Sequence, residues 1–385
     1  MNLRKAILVE PGAHHFTGHY REKLSLWING FRDAGWIVSV MCSHIPPDGL
    51  LPGVSFESPP AALMRTGNIM PYRLRVFLEV FWTYLFAFRR AAGTGSVVVG
   101  LTTSTLLPVA AARSVSRSCA VPFGQIVMYG NLFDSAKAWR VKLARWSLVS
   151  LLRSGAAILP NSKKTRLCFA AQVETPVLRS RIITVYDPIY VSRTSVPTEP
   201  KSLDRPLLIP GLDDARRSPI AHLEKANLDP SPSRLHIHMP GGGKESESEV
   251  RSRPLRCAPQ VSLSSNYLNQ DELCGLFASA SFCLLAYRPS LSQGSGFLVQ
   301  SIVCGTPVLC SRFPHAEELF EEFGRLGEVF EFGDMNAFRS AWLRLQAWGS
   351  GEWAEFHDSR AKLTEQVNAG RIAGSVIQLL QTAPP

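Results

Sequence analysis

Only 19% of this 385-residue chain is charged. Nowhere does the chain approach the run of about 20 apolar residues that crosses a bilayer as a helix. The nearest stretch, Val80 to Phe88, is short and flanked by Arg73, Arg75, Arg89 and Arg90, so a helical membrane span is excluded. The opening MNLRKAILVE meets a glutamate too soon for a signal-peptide core and reads as the first strand of a cytosolic domain. Cysteine is present but unorganised. The eight cysteines form no CxxC pair and no cluster with histidine, which argues against a zinc site. Cys283, Cys304 and Cys310 lie in apolar runs, where cysteine behaves as a small hydrophobe, and reduced thiols in a reducing compartment are expected. No nucleic-acid reader motif occurs, so the basic balance is not read as nucleic-acid binding.

What the sequence does contain is enough apolar material for large cores, 45% of residues, over a length that suits two domains. Its charge is uneven. Residues 1–200 carry 23 Lys and Arg against 10 Asp and Glu, a balance of +13, whereas the remainder carries 18 against 21, a balance of −3. A basic first half suits an anionic membrane face or a phosphate-bearing substrate.

Both halves alternate strand-like and helix-like segments. Ala6 to Glu10 reads as a buried strand, and the following helix places Leu24, Trp27, Ile28 and Phe31 on one face before Gly35 closes it. Trp36 to Met41, Val97 to Val99, Ile126 to Met128 and Ala157 to Leu159 are further strands. Helices are expected near 104–117 and 137–153. The polar, proline-bearing SRTSVPTEPKSLD suits a linker, after which strands at Leu207 to Pro210 and Leu235 to Met239 and helices at 220–225 and 271–278 repeat the alternation. GGGKESESEVRSRP reads as a charged, glycine-led loop. The pattern predicts an α/β protein of two doubly wound, Rossmann-like domains: 1–195, a linker 196–204, 205–350, and a C-terminal helical segment 351–385. Two such halves usually hold a ligand in the cleft they face.

The most informative stretch is Ser292 to Ser311, SQGSGFLVQSIVCGTPVLCS. It follows the apolar strand Phe282 to Ala286, turns through serine and glycine into an apolar helix, stops at Gly305, and resumes as a strand after Pro307. A loop built from Ser292, Gly294, Ser295 and Gly296 would present unpaired backbone N–H groups and the positive end of the helix dipole to phosphate. An ordinary strand–helix turn has the same composition. Other candidates carry similar pairs of readings. His14, His15 and His19, in or beside a glycine-bearing loop, are structural or serve substrate; Arg216 and Arg217 solvate a helix start or hold phosphate; and Lys244 is solvated in its loop or reaches a phosphate. AWRVKLARWSLVSLLR and PYRLRVFLEVFWTYLFAFRR mix aromatics with Arg and Lys, as either packed or membrane-interfacial helices would.

In order and spacing these pieces resemble the GT-B glycosyltransferases, specifically the large retaining group that uses nucleotide-sugar donors. The resemblance runs from about Lys5 to about Leu345. It rests on PGAHHFTGHYREKL with AGWIVSVMC, RSGAAILPNSKKTRLCF, RIITVYDPIYV, LLIPGLDDARRSPIAHL, NYLNQDELCGLFASASFCLLAY with SGFLVQSIVCGTPVLCS, and HAEELFEEFGRLGEVFEFGD. It implies an acceptor-side first domain and a donor-binding second one, closing on each other during transfer. Ser295 and Gly296 would offer backbone donors to the donor diphosphate. Arg217, after Gly211, would neutralise it and ease departure of the leaving group. Gly18 and His19 would line the floor of the cleft, and Glu317 would face the donor. No metal and no cofactor is implied, the nucleotide sugar being a substrate, since no DxD-type acidic cluster stands out as a cation site. Partners would be a glycan or lipid-linked acceptor and an anionic membrane surface, at the cytoplasmic face of the inner membrane.

The sequence also departs from that family. Gln300, a catalytic-site candidate with His19 and Arg217, stands where a second glutamate is usual; its acceptor oxygen would still hydrogen-bond a hydroxyl but the charge is lost, while no glutamate occupies the first position, near Ser292 or Gln293. Leu212 replaces a common arginine and Tyr129 a frequent histidine. These departures suit a non-catalytic relative that binds glycan or a partner transferase. Base selectivity is expected around Val261 to Tyr267.

Overall fold

A computed structural model describes the chain except for residues 1–3, 12–18, 46–50, 61–70, 102–104, 117–119, 128–132, 134–136, 192–204, 211–217, 227–233, 239–259, 265, 267, 291–293 and 383–385. Among the described residues, β1 (Lys5–Val9) leads to α1 (His19–Asp33), β2 (Ile37–Met41), β3 (Ser55–Glu57), α2 (Tyr72–Thr94) and β4 (Val97–Gly100). Next come α3 (Leu107–Ser116), β5 (Phe123–Val127), α4 (Ala138–Arg153), β6 (Ala157–Pro160), α5 (Lys163–Ala170) and α6 (Pro176–Arg179). The second series is β7 (Leu207–Pro210), α7 (Pro219–Ala226), β8 (Arg234–His238), β9 (Gln260–Ser264), α8 (Gln270–Ser279), β10 (Cys283–Leu285) and α9 (Gly296–Val303). It ends with β11 (Val308–Ser311), α10 (Pro314–Phe323), β12 (Gly327–Phe330), α11 (Met335–Gln346), α12 (Ser350–Gln366) and α13 (Ala369–Thr382).

Two parallel six-stranded sheets result. The first runs β3-β2-β1-β4-β5-β6 and the second β12-β11-β10-β7-β8-β9. Counted from its own first strand, each has the doubly wound Rossmann order. Strands such as VVVG, AILP and LLIP are buried at every position, as sheets covered by helices on both faces require. In the first unit one face packs against α2, α3 and α4 through Tyr84, Phe88, Val109 and Leu148. The opposite face packs against α1 and α13 through Trp27, Phe31, Ile372 and Val376. The core of the second unit joins Leu207, Ile209, Leu235 and Ile237 to Phe338 and Trp342 of α11.

The chain divides into two compact units, Met1–Pro188 with Val367–Pro385, and Ile189–Gln366. The sequence suggested one C-terminal helical segment over 351–385. The structure has two helices there, α12 in the second unit and α13 in the first. Gly30 permits the close seating of α13, because a Cβ at that position would lie 2.4 Å from the carbonyl oxygen of Ala369. Local signals set several helix starts. Asn269 and Glu272 form a reciprocal capping box on α8 (2.9 and 2.8 Å), and Ser162 caps α5 through the Thr165 N–H (3.0 Å).

Candidate functional site

Strand order reverses between β1 and β4 in the first sheet and between β7 and β10 in the second. Beyond the carboxyl ends of such a pair the connections leave to opposite faces, which opens a crevice where ligands of doubly wound sheets bind. Of the sequence candidates that the structure describes, His19 opens the helix after β1, and Ser295 and Gly296 open the helix after β10.

The helix start after β10 is built from several elements. Ser295 is the N-cap of α9, its Oγ accepting from the Leu298 N–H (3.2 Å) and donating to the Tyr287 hydroxyl (3.2 Å). Its own N–H donates to His315 Nδ1 (3.0 Å), in the first turn of α10. Ser295 was expected to offer its N–H to phosphate, but that proton is already held by His315. Its hydroxyl caps and orients the helix instead. The N–H groups of Gly296 and Phe297, in the first turn, have no intrahelical acceptor. Gly296 is exposed, and a Cβ added to it would meet nothing within 4 Å among the described residues. Tyr287 is fixed from behind by the Ser311 hydroxyl, which donates to its carbonyl (2.5 Å), and by the edge of Phe313.

Gln300, one turn further along α9, is buried. Its Nε2 donates to the Tyr190 carbonyl (3.0 Å) and lies 3.2 Å from both the Cys274 and Cys304 sulfurs. The carboxamide nitrogen is thus turned into the body of the second unit. Glu317 is half-buried in the first turn of α10 and lies 3.7 Å from Arg312. That exposed arginine also binds Glu331 (2.5 Å), and its protonated form is favoured first by the hydrogen bond to Glu331.

His19 is the first residue of α1. Gly18, Gly211 and Arg217 lie outside the described residues, as do His14, His15, Tyr129, Leu212, Arg216, Lys244, the glycine-led loop and the 196–204 linker. The neighbour of Arg217 is described: the Ser218 N–H donates to the Ala286 carbonyl (2.9 Å), which fastens the start of α7 to the end of β10.

Some polar groups escaped the sequence reading. His222 accepts from the Gly333 N–H at Nε2 (3.2 Å), so Nδ1 carries the proton and donates to the Ser218 carbonyl (2.7 Å). On β8 and β9, His236 bonds Ser262 (2.7 Å) and Ser264 (3.0 Å), and His238 shares Ser264 (2.8 Å). Burial lowers both imidazoles below their ordinary range. The period-two pattern of RLHIH and QVSLS is the signal that could have found this ladder. In the first unit, Glu10 is buried at the end of β1. Burial first, and the Glu10 carboxylate second, push Cys42 up to about 12 and raise Tyr84. Among the described residues no group of His, Cys, Asp and Glu could hold a metal ion, and no helix is long and apolar enough to cross a membrane.

No protein-family model and no curated protein matches the sequence. Solved structures do. The lipopolysaccharide outer core galactosyltransferase WaaB, in its apo form, is 16% identical with a TM-score of 0.64, the match covering 98% of this chain and 99% of that one. Anabaena Alr3699/HepE in complex with UDP is 12% identical with a TM-score of 0.66, covering 99% and 100%. The trehalose-6-phosphate synthase OtsA is 14% identical with a TM-score of 0.64, also covering 99% and 100%. The fold of this chain is therefore that of the GT-B glycosyltransferases, along nearly its whole length.

Proposed function

We propose that this chain is a glycosyltransferase that moves a sugar from a nucleotide-sugar donor to a glycan or lipid-linked acceptor, in polysaccharide or glycoconjugate assembly. The observation that carries the reading is the α9 helix start. It is capped by Ser295, opened by the exposed Gly296, clear of side chains among the described residues, and follows the strand that flanks the switch point of the second sheet. A diphosphate is the anion this arrangement suits, since first-turn N–H groups and the helix dipole both favour negative charge. Support also comes from Alr3699/HepE, a solved structure of the same fold, which binds UDP and UDP-glucose.

In this reading the N–H groups of Gly296 and Phe297 hold the donor diphosphate, and Ser295 keeps the turn in place. Gly211 lets the backbone approach, and Arg217 neutralises the charge that develops on the departing nucleotide. Glu317 faces the donor, and Gly18 and His19 serve the acceptor side. Transfer proceeds with retention of anomeric configuration and without a metal ion, on the cytoplasmic side. The deciding experiment is a thermal-shift screen of the purified chain against a panel of nucleotide sugars. One of them should raise the transition, by about 2.7 kcal/mol of stability at a hundredfold excess over Kd, and Arg217→Ala should abolish the shift. A flat response across the panel would sink the reading.

A second reading, a non-catalytic GT-B-fold subunit that binds glycan or a partner transferase, is favoured by Gln300. Its amide nitrogen is committed to Tyr190 within the second unit. Donor binding with neither transfer nor hydrolysis in the purified protein would select this alternative.

A further inference from the structure

We infer that one face of the first unit is a docking surface for an anionic lipid membrane, centred on α4. The sequence of α4 left two readings open, a packed helix or an interfacial one, and the structure separates its two sides. Leu148, Leu151 and Leu152 enter the core, whereas Trp139 and Trp146 are 58% and 54% exposed. The two tryptophans are seven residues apart and so share one face, with exposed Lys142 between them and exposed Arg145 beside them. No acidic residue occurs anywhere in α4. Arg145 shares its charge with Glu174 (2.5 Å), while among the described residues Lys142 makes no ion pair.

A second helix extends the surface. Both α2 and α4 pack on α3, and all three cover the same face of the first sheet. In a parallel α/β unit, helices run antiparallel to the strands, so the first turns of α2 and α4 lie at the same edge, the carboxyl edge. The first turn of α2 exposes Tyr72 (70%) and Arg73 there.

Two exposed indoles with interspersed cations match the chemistry of a lipid headgroup layer. The amphipathic rings settle at the headgroup level while lysine and arginine meet anionic phosphates. The +13 balance of residues 1–200 supplies the long-range attraction. The surface is an adhesive face and not a span, since no described helix can cross a bilayer. It lies at the ligand-binding edge of the unit proposed to hold the acceptor, which suits a lipid-linked acceptor.

The test is vesicle co-sedimentation of the full chain, without nucleotide sugar, so that its outcome is independent of the proposed transferase activity. Vesicles of phosphatidylglycerol and phosphatidylcholine in equal parts should sediment the protein, and phosphatidylcholine alone should not. Trp139→Ser with Trp146→Ser should weaken binding tenfold or more, as should Lys142→Glu combined with Arg73→Glu. Leu343→Ser, at an exposed apolar residue of the second unit, should leave it unchanged. The unaltered melting temperature of each variant would show that its fold is intact. Absence of binding to the anionic vesicles would overturn the proposal. So would equal binding by the double-tryptophan variant, or tight binding to neutral vesicles, which would make the face a protein-binding or merely hydrophobic one.

Discussion

The two sheets repeat one strand order, yet the residues near the carboxyl ends of their fourth strands differ in kind. At the end of β4 in the first sheet, Gly100 is hemmed in. A Cβ there would lie 2.2 Å from Gln125 Oε1 and 2.3 Å from the Tyr84 hydroxyl, which donates to that oxygen across 2.7 Å in a buried pair. Beyond β10, the corresponding strand of the second sheet, Gly296 is exposed and starts a helix. One glycine is present because side chains fill the edge, the other where no described residue comes within 4 Å of an added Cβ. The same topology therefore holds a crowded glycine at one place and an exposed one at the other, and local residues decide which.

Breaking this contrast should be costly on the packed side. Gly100→Ala should destabilise the protein by about 3 kcal/mol, through overpacking and loss of the buried Tyr84–Gln125 bond, as measured by urea unfolding. A cost near zero would mean that the edge is looser than its distances imply. Deeper along α9, Gln300→Glu should cost on the order of 2–3 kcal/mol, because a buried carboxylate would replace the donor that Tyr190 accepts from. A stable variant with improved donor affinity would instead place that side chain in the binding site. Ser295→Ala should cost about 1 kcal/mol by removing the α9 cap, seen as a lower melting temperature.

The smallest effects sharpen the comparison. Burial lowers His236 and His238 below the ordinary value of 6.5. As pH falls through 6.5 toward those lowered values, the unfolded chain binds protons that the native ladder does not, so stability falls with pH in that window. His236→Asn should reduce the stability lost between neutral and mildly acidic pH by under about 1 kcal/mol, solvent screening the half-buried ring, in unfolding curves across that range. Gly296→Ala should change stability by no more than about 0.5 kcal/mol, yet weaken nucleotide-sugar binding at least tenfold in calorimetry. Unchanged affinity would remove the α9 start from the donor site.

Much of the fold was legible before the structure. The α1 face of Leu24, Trp27, Ile28 and Phe31 is buried as its periodicity predicts, and Gly35, at φ 81°, closes that helix. Strands of continuous Val, Leu and Ile were equally plain. The three-residue SFE of β3 and the polar QVSLS of β9 were not, because short strands that owe their place to a neighbouring strand carry little periodic signal of their own. At the candidate site, Ser295 was readable from composition. Its acceptor His315 was not, since a partner 20 residues away is chosen by how β10 and β11 align.

Two series of buried strands alternating with amphipathic helices, and a serine–glycine turn opening an apolar helix, are written into the order of residues. These are local matters of periodicity, capping and backbone freedom, each settled within a few residues. The tertiary structure decided that α13 joins the first unit, that Trp139 and Trp146 face outward, and that the Gln300 amide meets the Tyr190 carbonyl, 110 residues away in sequence. Such contacts follow from the order in which strands pair, and that order brings together groups whose sequence neighbourhoods hold no trace of one another.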